Sequence, residues 1–225
     1  MRTIGIIPAR GGSKSVIKKN IKPLNGKPLI YYTIEAALKS NLTKVLVSTD
    51  DPEIKLVAEQ FNVQVLNRPA YLGQDSTPTH DVIINCLENI NDTYDAVMIL
   101  QPTSPFRKAE HIDECIQLFE KDVAANSLVS IQRVPHNMVP NSLMIKKNGY
   151  LEHLTKEPRV YRRQDKSEYF ARNGAAIYLT RYKDVFQYII GGKIMYYEMP
   201  KLASIDIDDI EDFEIAQLLF KGSAQ

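Results

Sequence analysis

The feature that most limits how this chain can fold is an alternation over its first 131 residues. TIGIIP (3–8), KVLVST (44–49), VQVL (63–66), AVMIL (96–100) and SLVSI (127–131) are short and rich in β-branched residues, as strands are. PLIYYTIEAALK (28–39), EIKLVAEQF (53–61), residues 79–90 and residues from about 109 to 120 carry helical spacing between them. Pro28 starts the first of these helices, and Asp51 with Pro52 forms an N-cap and first-turn pair for the second. Strand, crossover helix and strand in repetition predict an α/β fold, doubly wound, around a mostly parallel sheet. From about 133 to 172 the pattern breaks into Pro, Asn and charge, with a hairpin signal where Asn148-Gly149 separates LMIKK from YLEHL. This stretch reads as an inserted arm. Strands return at AAIYL and IMYYEM, and a helix over about 209–220 follows. With no repeat and no low-complexity linker, 1–225 reads as one domain.

Charge excludes whole classes of partner. Lys and Arg number 28 against 27 Asp and Glu, a formal charge of +1, so no bulk field draws the chain to nucleic acid or to an anionic membrane. Any anion must be bound by a local cluster. No apolar run approaches the roughly 18 residues of a membrane span, and the first residues read as a strand instead of a signal peptide. A cytoplasmic, soluble protein is expected. Cys86 and Cys115 lie in helical patterns without a CxxC partner, which favours core thiols over a disulfide or a zinc site. The four histidines lack ligand spacing, and the pairs Tyr31-Tyr32 and Tyr196-Tyr197 read as packing residues.

Three segments carry chemistry. ARGGSKSVIKKN (9–20) follows the first strand, where open α/β sheets bind ligands. Gly11 and Gly12 let backbone amides approach an anion, and Arg10, Lys14, Lys18 and Lys19 match the charge of a polyphosphate. A solvated basic loop is the alternative. LQPTSPFR (100–107) ends a buried strand in polar residues between two prolines, a rigid frame that suits either a substrate contact or a plain strand-to-helix turn. In SIDIDDIED (204–212), Asp206 and Asp208 are two apart, so an extended segment would send both carboxylates to one side as hard ligands for magnesium. The acids after Asp206 can equally complement a helix N-terminus.

Together with STD (48–50), RPAYLG (68–73) and RNGAAIY (172–178), these segments resemble one family, the N-acylneuraminate cytidylyltransferases or CMP-sialic acid synthetases, with their legionaminic and pseudaminic acid relatives. The resemblance spans almost the whole chain. It implies a nucleotide-diphospho-sugar-transferase-like, Rossmann-like sheet with a dimerisation arm, and a homodimer. It further implies CTP contacts from Ala9, Arg10, Gly11, Gly12, Ser13, Lys14, Asn20 and Arg68, with Arg10 and Lys14 on the triphosphate. Gln101, Arg163 and Asn173 match positions at the sugar, and Asp206 and Asp208 match carboxylates that bind magnesium.

The implied reaction is attack by the anomeric hydroxyl of a nine-carbon acidic sugar on the α-phosphorus of CTP, releasing pyrophosphate. Arg10, Lys14 and Asp208 are the expected catalytic residues. The proton acceptor is left open between Asp208 and a hydroxide on the metal. The chain has Ser15 and Ile17 where many members have Gly and Pro, and FAR precedes Asn173 where some sialic acid enzymes have FRP. A different acceptor such as Kdo, or a non-catalytic nucleotide-binding relative, is the alternative; Gly11, Gly12 and the KKN ending disfavour Kdo.

Overall fold

The computed structural model of the protein describes residues 1–155, 167–174 and 176–222. The chain runs β1 (Thr3–Pro8), a two-residue ribbon of β2 (Pro23–Leu24) and β3 (Lys27–Pro28), α1 (Leu29–Leu38), β4 (Lys44–Thr49), α2 (Pro52–Glu59) and β5 (Gln64–Asn67). There follow α3 (Thr79–Glu88), β6 (Ala96–Ile99), α4 (Ala109–Lys121), β7 (Ser127–Arg133), β8 (Met144–Lys147) and β9 (Tyr150–His153). The last described elements are β10 (Phe170–Arg172), β11 (Tyr178–Arg181), β12 (Ile194–Glu198) and α5 (Ile210–Gly222).

The main sheet has the order β10-β7-β11-β6-β1-β4-β5, with β12 also paired to β7. Strands β5, β4, β1 and β6 pair in parallel, β12 lies parallel to β7, and β11 is inserted antiparallel between β6 and β7. Alternation along the strands feeds two cores. Ile7, Val45, Val47, Ala96 and Met98 pack with Ile30 and Ile34 of α1, Ile54 of α2 and Phe119 of α4, whereas Ile4, Ile6, Leu46, Val97 and Ile99 pack with Ile83 and Leu87 of α3. Helices therefore cover both faces, as a doubly wound sheet requires. Cys115 belongs to the first core and Cys86 to the second, and burial pushes both thiols up. They are core residues.

Asp51 caps α2 as expected, its carboxylate accepting from the amides of Glu53 and Ile54 at 2.8 and 3.0 Å. Two boundaries differ from the sequence pattern. Helix α1 begins at Leu29 because Pro28 is extended and pairs with Pro23. The expected strand at AAIYL begins only at Tyr178, because the pairing with β7 breaks off at Arg172 and resumes at Tyr178 in a different register. At the ends of the stretch 133–172, Phe170–Arg172 pair with Arg133–Ile131 inside the main sheet. The excursion between those paired ends carries the β8–β9 hairpin, exposed along both strands, with Asn148 and Gly149 at φ 51° and 83° as its two-residue turn. Among the described residues no helix is long and apolar enough to cross a membrane.

Candidate active site

Strand β1 lies between β4 and β6, so strand order reverses there, and the loops after β1 and β6 flank the crevice that this reversal opens. A cavity of about 540 Å³ fills it. Arg10, Ser13, Lys14, Ser15, Lys19 and Asn20 line it from the loop after β1, Arg68 and Asp75 from beyond β5, Gln101 and Thr103 from the loop after β6, and Asp208 from the acidic segment. Ala9, Gly11 and Gly12 are not among the lining residues. Ala9 is buried, its amide donating to the Ser48 carbonyl at 2.9 Å. Gly11 meets a packing demand: a Cβ there would lie 2.4 Å from Asp51 Oδ2, while its amide donates to Asp50 Oδ1 at 3.3 Å. Gly12 has open space around it.

The cations of this loop have separate tasks. Arg10 and Lys14 both form ion pairs with Asp75, whose carboxyl they hold below the usual range, Lys14 most strongly. Lys18 turns away to Glu53 at 2.6 Å and does not line the cavity. Lys19 Nζ donates to the carbonyls of Ile207 and Asp208 at 2.8 and 3.4 Å, and Ser15 Oγ donates to the Asp208 carbonyl at 2.5 Å. The basic loop is thus stitched to a segment nearly two hundred residues away. Buried Asn20 donates to the Arg10 carbonyl at 2.9 Å. Arg68 is buried with its guanidinium on the carbonyls of Ser48 at 2.9 Å and Leu72 at 3.3 Å, and burial lowers its pKa.

A second cavity of about 570 Å³ adjoins the first and shares Gln101 and Thr79 with it. His80, Arg172, Tyr178, Tyr188, Ile189, Ile190 and Asp206 also line it. Its position follows from the break in pairing with β7 between Arg172 and Tyr178. Arg172 pairs with Ile131 and Tyr178 with Val129, so five residues stand opposite Ser130 alone. Gly174, at φ 69°, sits so close to Asp206 that a Cβ would fall 1.9 Å from Oδ2. Asp206 and Asp208 do not share one side of a strand: Asp206 lines the second cavity and Asp208 the first, because residues 205–208 leave regular structure before α5.

Burial raises the Asp206 carboxyl above its ordinary range, with the Thr103 hydroxyl opposing and Asp208 adding to the effect, and among the described residues Asp206 Oδ1 is buried without a geometrically formed hydrogen bond. An unpartnered buried carboxylate oxygen beside a second carboxylate fits a hard divalent cation. Among the described residues no group of three or more His, Cys, Asp or Glu is arranged to hold a metal.

Supporting groups hold these loops. Arg107 is buried, and its guanidinium donates to the Ala176 carbonyl at 2.6 Å, to Thr33 Oγ1 at 2.6 Å and to the Gln101 carbonyl at 3.2 Å. Burial pushes its pKa down, with Asp206 opposing. The Ile207 amide donates to the Thr103 carbonyl at 2.8 Å, tying the acidic segment to the loop after β6. Asn173, expected at the sugar, is buried with its amide engaged elsewhere: Oδ1 accepts from Ser130 Oγ at 2.6 Å and Nδ2 donates to Ser204 Oγ at 3.0 Å. It locks the bulge and lines neither cavity. Arg163 lies outside the described residues. Sequence reasoning missed Asp50, Asp75, Arg107, Arg172 and Tyr178 as site-forming residues. Four of them lie inside motifs already singled out, and only Asp75 carries no local signal.

A crevice lined by Arg10, Lys14, Lys19 and Arg68 at the switch point of a doubly wound sheet is a site suited to a polyanionic ligand. The family model described as Cytidylyltransferase matches residues 4–221, and the chain belongs to that family. The N-acylneuraminate cytidylyltransferase of Escherichia coli O18:K1:H7 (strain RS218 / NMEC) is 35% identical over 96% of this chain and 52% of its own length. The chain thus spans about half the length of the relatives of that name. The CMP-N,N'-diacetyllegionaminic acid synthase of Legionella pneumophila is 34% identical over 98% of this chain and 97% of its own length. Among solved structures, a CMP:2-keto-3-deoxy-manno-octonic acid synthetase complexed with CTP superposes with a TM-score of 0.74, covering 99% of this chain and all of that one at 20% identity, which shows the shared fold.

Proposed function

We propose that this chain transfers CMP from CTP to the anomeric hydroxyl of a sialic-acid-like nonulosonic acid, N-acetylneuraminic or legionaminic acid, releasing pyrophosphate and forming the CMP-sugar. The observation that carries this reading is the pair of adjoining cavities, one lined by Arg10, Lys14, Lys19 and Arg68 and the other by Arg172 and Asp206, that share Gln101 and Thr79. The names of relatives matched over nearly the whole chain support the acceptor class.

In the proposed mechanism the anomeric oxygen forms a bond to the α-phosphorus as the bond from that phosphorus to the bridging oxygen of the β-phosphate breaks, and the hydroxyl proton passes to a base, for which Asp208 is the candidate side chain. Arg10, Lys14 and Lys19 neutralise the triphosphate and then the leaving pyrophosphate, where charge builds. Arg68 and Asn20 frame the nucleoside end. Arg172 receives the sugar's carboxylate as a charge-assisted contact, with Gln101 and Tyr178 fixing its orientation. Arg163 remains a candidate sugar contact. Asp206 and Asp208 are the residues that would hold a magnesium ion, and such an ion would supply charge neutralisation at the reacting phosphate. The exposed β8–β9 hairpin supports an arm that reaches a second copy, giving a homodimer, and we place the protein in the cytoplasm.

Pyrophosphate release from CTP and magnesium, with N-acetylneuraminic, legionaminic, pseudaminic and Kdo acids in parallel, tests the reading. Turnover with one of the first two is expected, and Asp208→Ala is expected to lose at least about a hundredfold of it while folding normally. Near-normal turnover in Asp208→Ala would overturn the metal assignment, and turnover with Kdo alone would overturn the acceptor.

A further inference from the structure

The cavity assigned to the triphosphate already contains an anion of the chain's own. The carboxylate of Asp75 lies between Arg10 Nη1 and Lys14 Nζ and pairs with both, one oxygen to each. Its place is set by packing. Gly73 backs so closely onto Asp50 that a Cβ would lie 2.6 Å from the Asp50 Cγ, and Asp50 in turn accepts from the Gly11 amide. The segment carrying Asp75 is thereby fixed beside the basic loop. Lys14 is 83% exposed along its side chain and, among the described residues, is anchored by this carboxylate at the cavity. The cavity is lined by four cations, Arg10, Lys14, Lys19 and Arg68, against Asp75 and Asp208. Of these acids, Asp75 is the one paired to the two cations that the reading above gives to the phosphates.

We infer that Asp75 is an internal counter-ion that occupies the phosphate subsite until nucleotide displaces it, and so weakens the site's hold on both CTP and the pyrophosphate it releases. This rests on the proposed triphosphate site. Charge on the incoming phosphates competes with one carboxylate for two exposed cations, and exposed pairs of this kind are readily exchanged. The same competition acts in reverse after transfer, when Asp75 re-forms its pairs as pyrophosphate leaves. Without it, the unpaired cations would hold the product longer.

The test is titration calorimetry of the full chain with tripolyphosphate and with CTP, without divalent metal, for wild type, Asp75→Asn and Asp75→Glu. Asp75→Asn is expected to bind both about threefold to tenfold more tightly at low ionic strength, the gain shrinking with added salt, while Asp75→Glu stays near wild type. In turnover, the Asn variant should show a lower KM for CTP and stronger pyrophosphate inhibition at an unchanged KM for the sugar. Equal or weaker tripolyphosphate binding by Asp75→Asn, with a wild type that binds it, would overturn the inference alone. A wild type that binds neither ligand would overturn the triphosphate site itself.

Discussion

At the phosphate side of the crevice, the side chains of Arg10 and Lys14 are 38% and 83% exposed and are held by one another's shared ion pair with Asp75. At the acidic side, Asp206 has a buried, unpartnered oxygen and lies against the bare Cα of Gly174, inside a bulge locked by Asn173 and Ser130. The difference teaches how one site meets two demands. On the proposed function, long exposed cations can rearrange around a polyphosphate that arrives and leaves in each cycle. A carboxylate that must present fixed oxygens needs a frame that does not move, and that frame is built from buried main chain.

The largest expected effect comes from breaking the rigid side. Gly174→Ala places a Cβ in the space of the Asp206 carboxylate and forces a side chain into left-handed backbone. Turnover should fall by about 10²–10³, as when a group that stabilises the transition state is removed, while tripolyphosphate binding on the other side persists. If steady-state assays showed turnover within a few fold of wild type, the bulge would not be what positions Asp206. Next is Arg107→Met, which takes the guanidinium away from the carbonyls of Gln101 and Ala176 and from the Thr33 hydroxyl, leaving Gln101 only its longer bond from Thr33 among the described residues. A loss of about 3 kcal/mol in denaturant stability is expected, together with a raised KM for the sugar through Gln101. Unchanged stability would mean that the loop after β6 is held by its prolines instead.

Much of this was legible in the sequence because it depends on local pattern. The period of apolar residues gave the strands and helices of the parallel half almost to the residue, and the Asp51-Pro52 cap and the Asn148-Gly149 turn stand where their chemistry puts them. What stayed hidden depends on contacts between distant segments. Nothing near Asp75 says that it meets residues 10 and 14, and nothing in RNGAAIY says that five residues will stand opposite one on β7. Gly11 shows the same limit: the carboxylate of Asp51 stands behind this glycine where a Cβ would go, a demand that its motif does not reveal. Asn173 invited a substrate role because it is a polar residue in a chemical motif, yet its partners are internal.

A smaller effect belongs to the adaptable side. Arg10→Met should raise the KM for CTP about tenfold to a hundredfold, the range for loss of a charge-assisted phosphate contact, and leave the melting temperature nearly unchanged. A large loss of stability instead would place Arg10 with the rigid frame. The smallest effect tests whether a positive-φ glycine matters for its backbone or for its surroundings. Gly149 at φ 83° resembles Gly174 at φ 69° in conformation, but a Cβ at Gly149 meets nothing within 4 Å. Gly149→Ala should therefore carry only the backbone term, about 1 kcal/mol, confined to the β8–β9 hairpin. Amide exchange should quicken in that hairpin, while turnover per folded protomer and CTP binding stay at wild-type values. If sedimentation showed fewer dimers in Gly149→Ala, the proposed arm would gain direct support; if CTP turnover fell as far as in Gly174→Ala, the separation between a packed bulge and a free turn would be wrong.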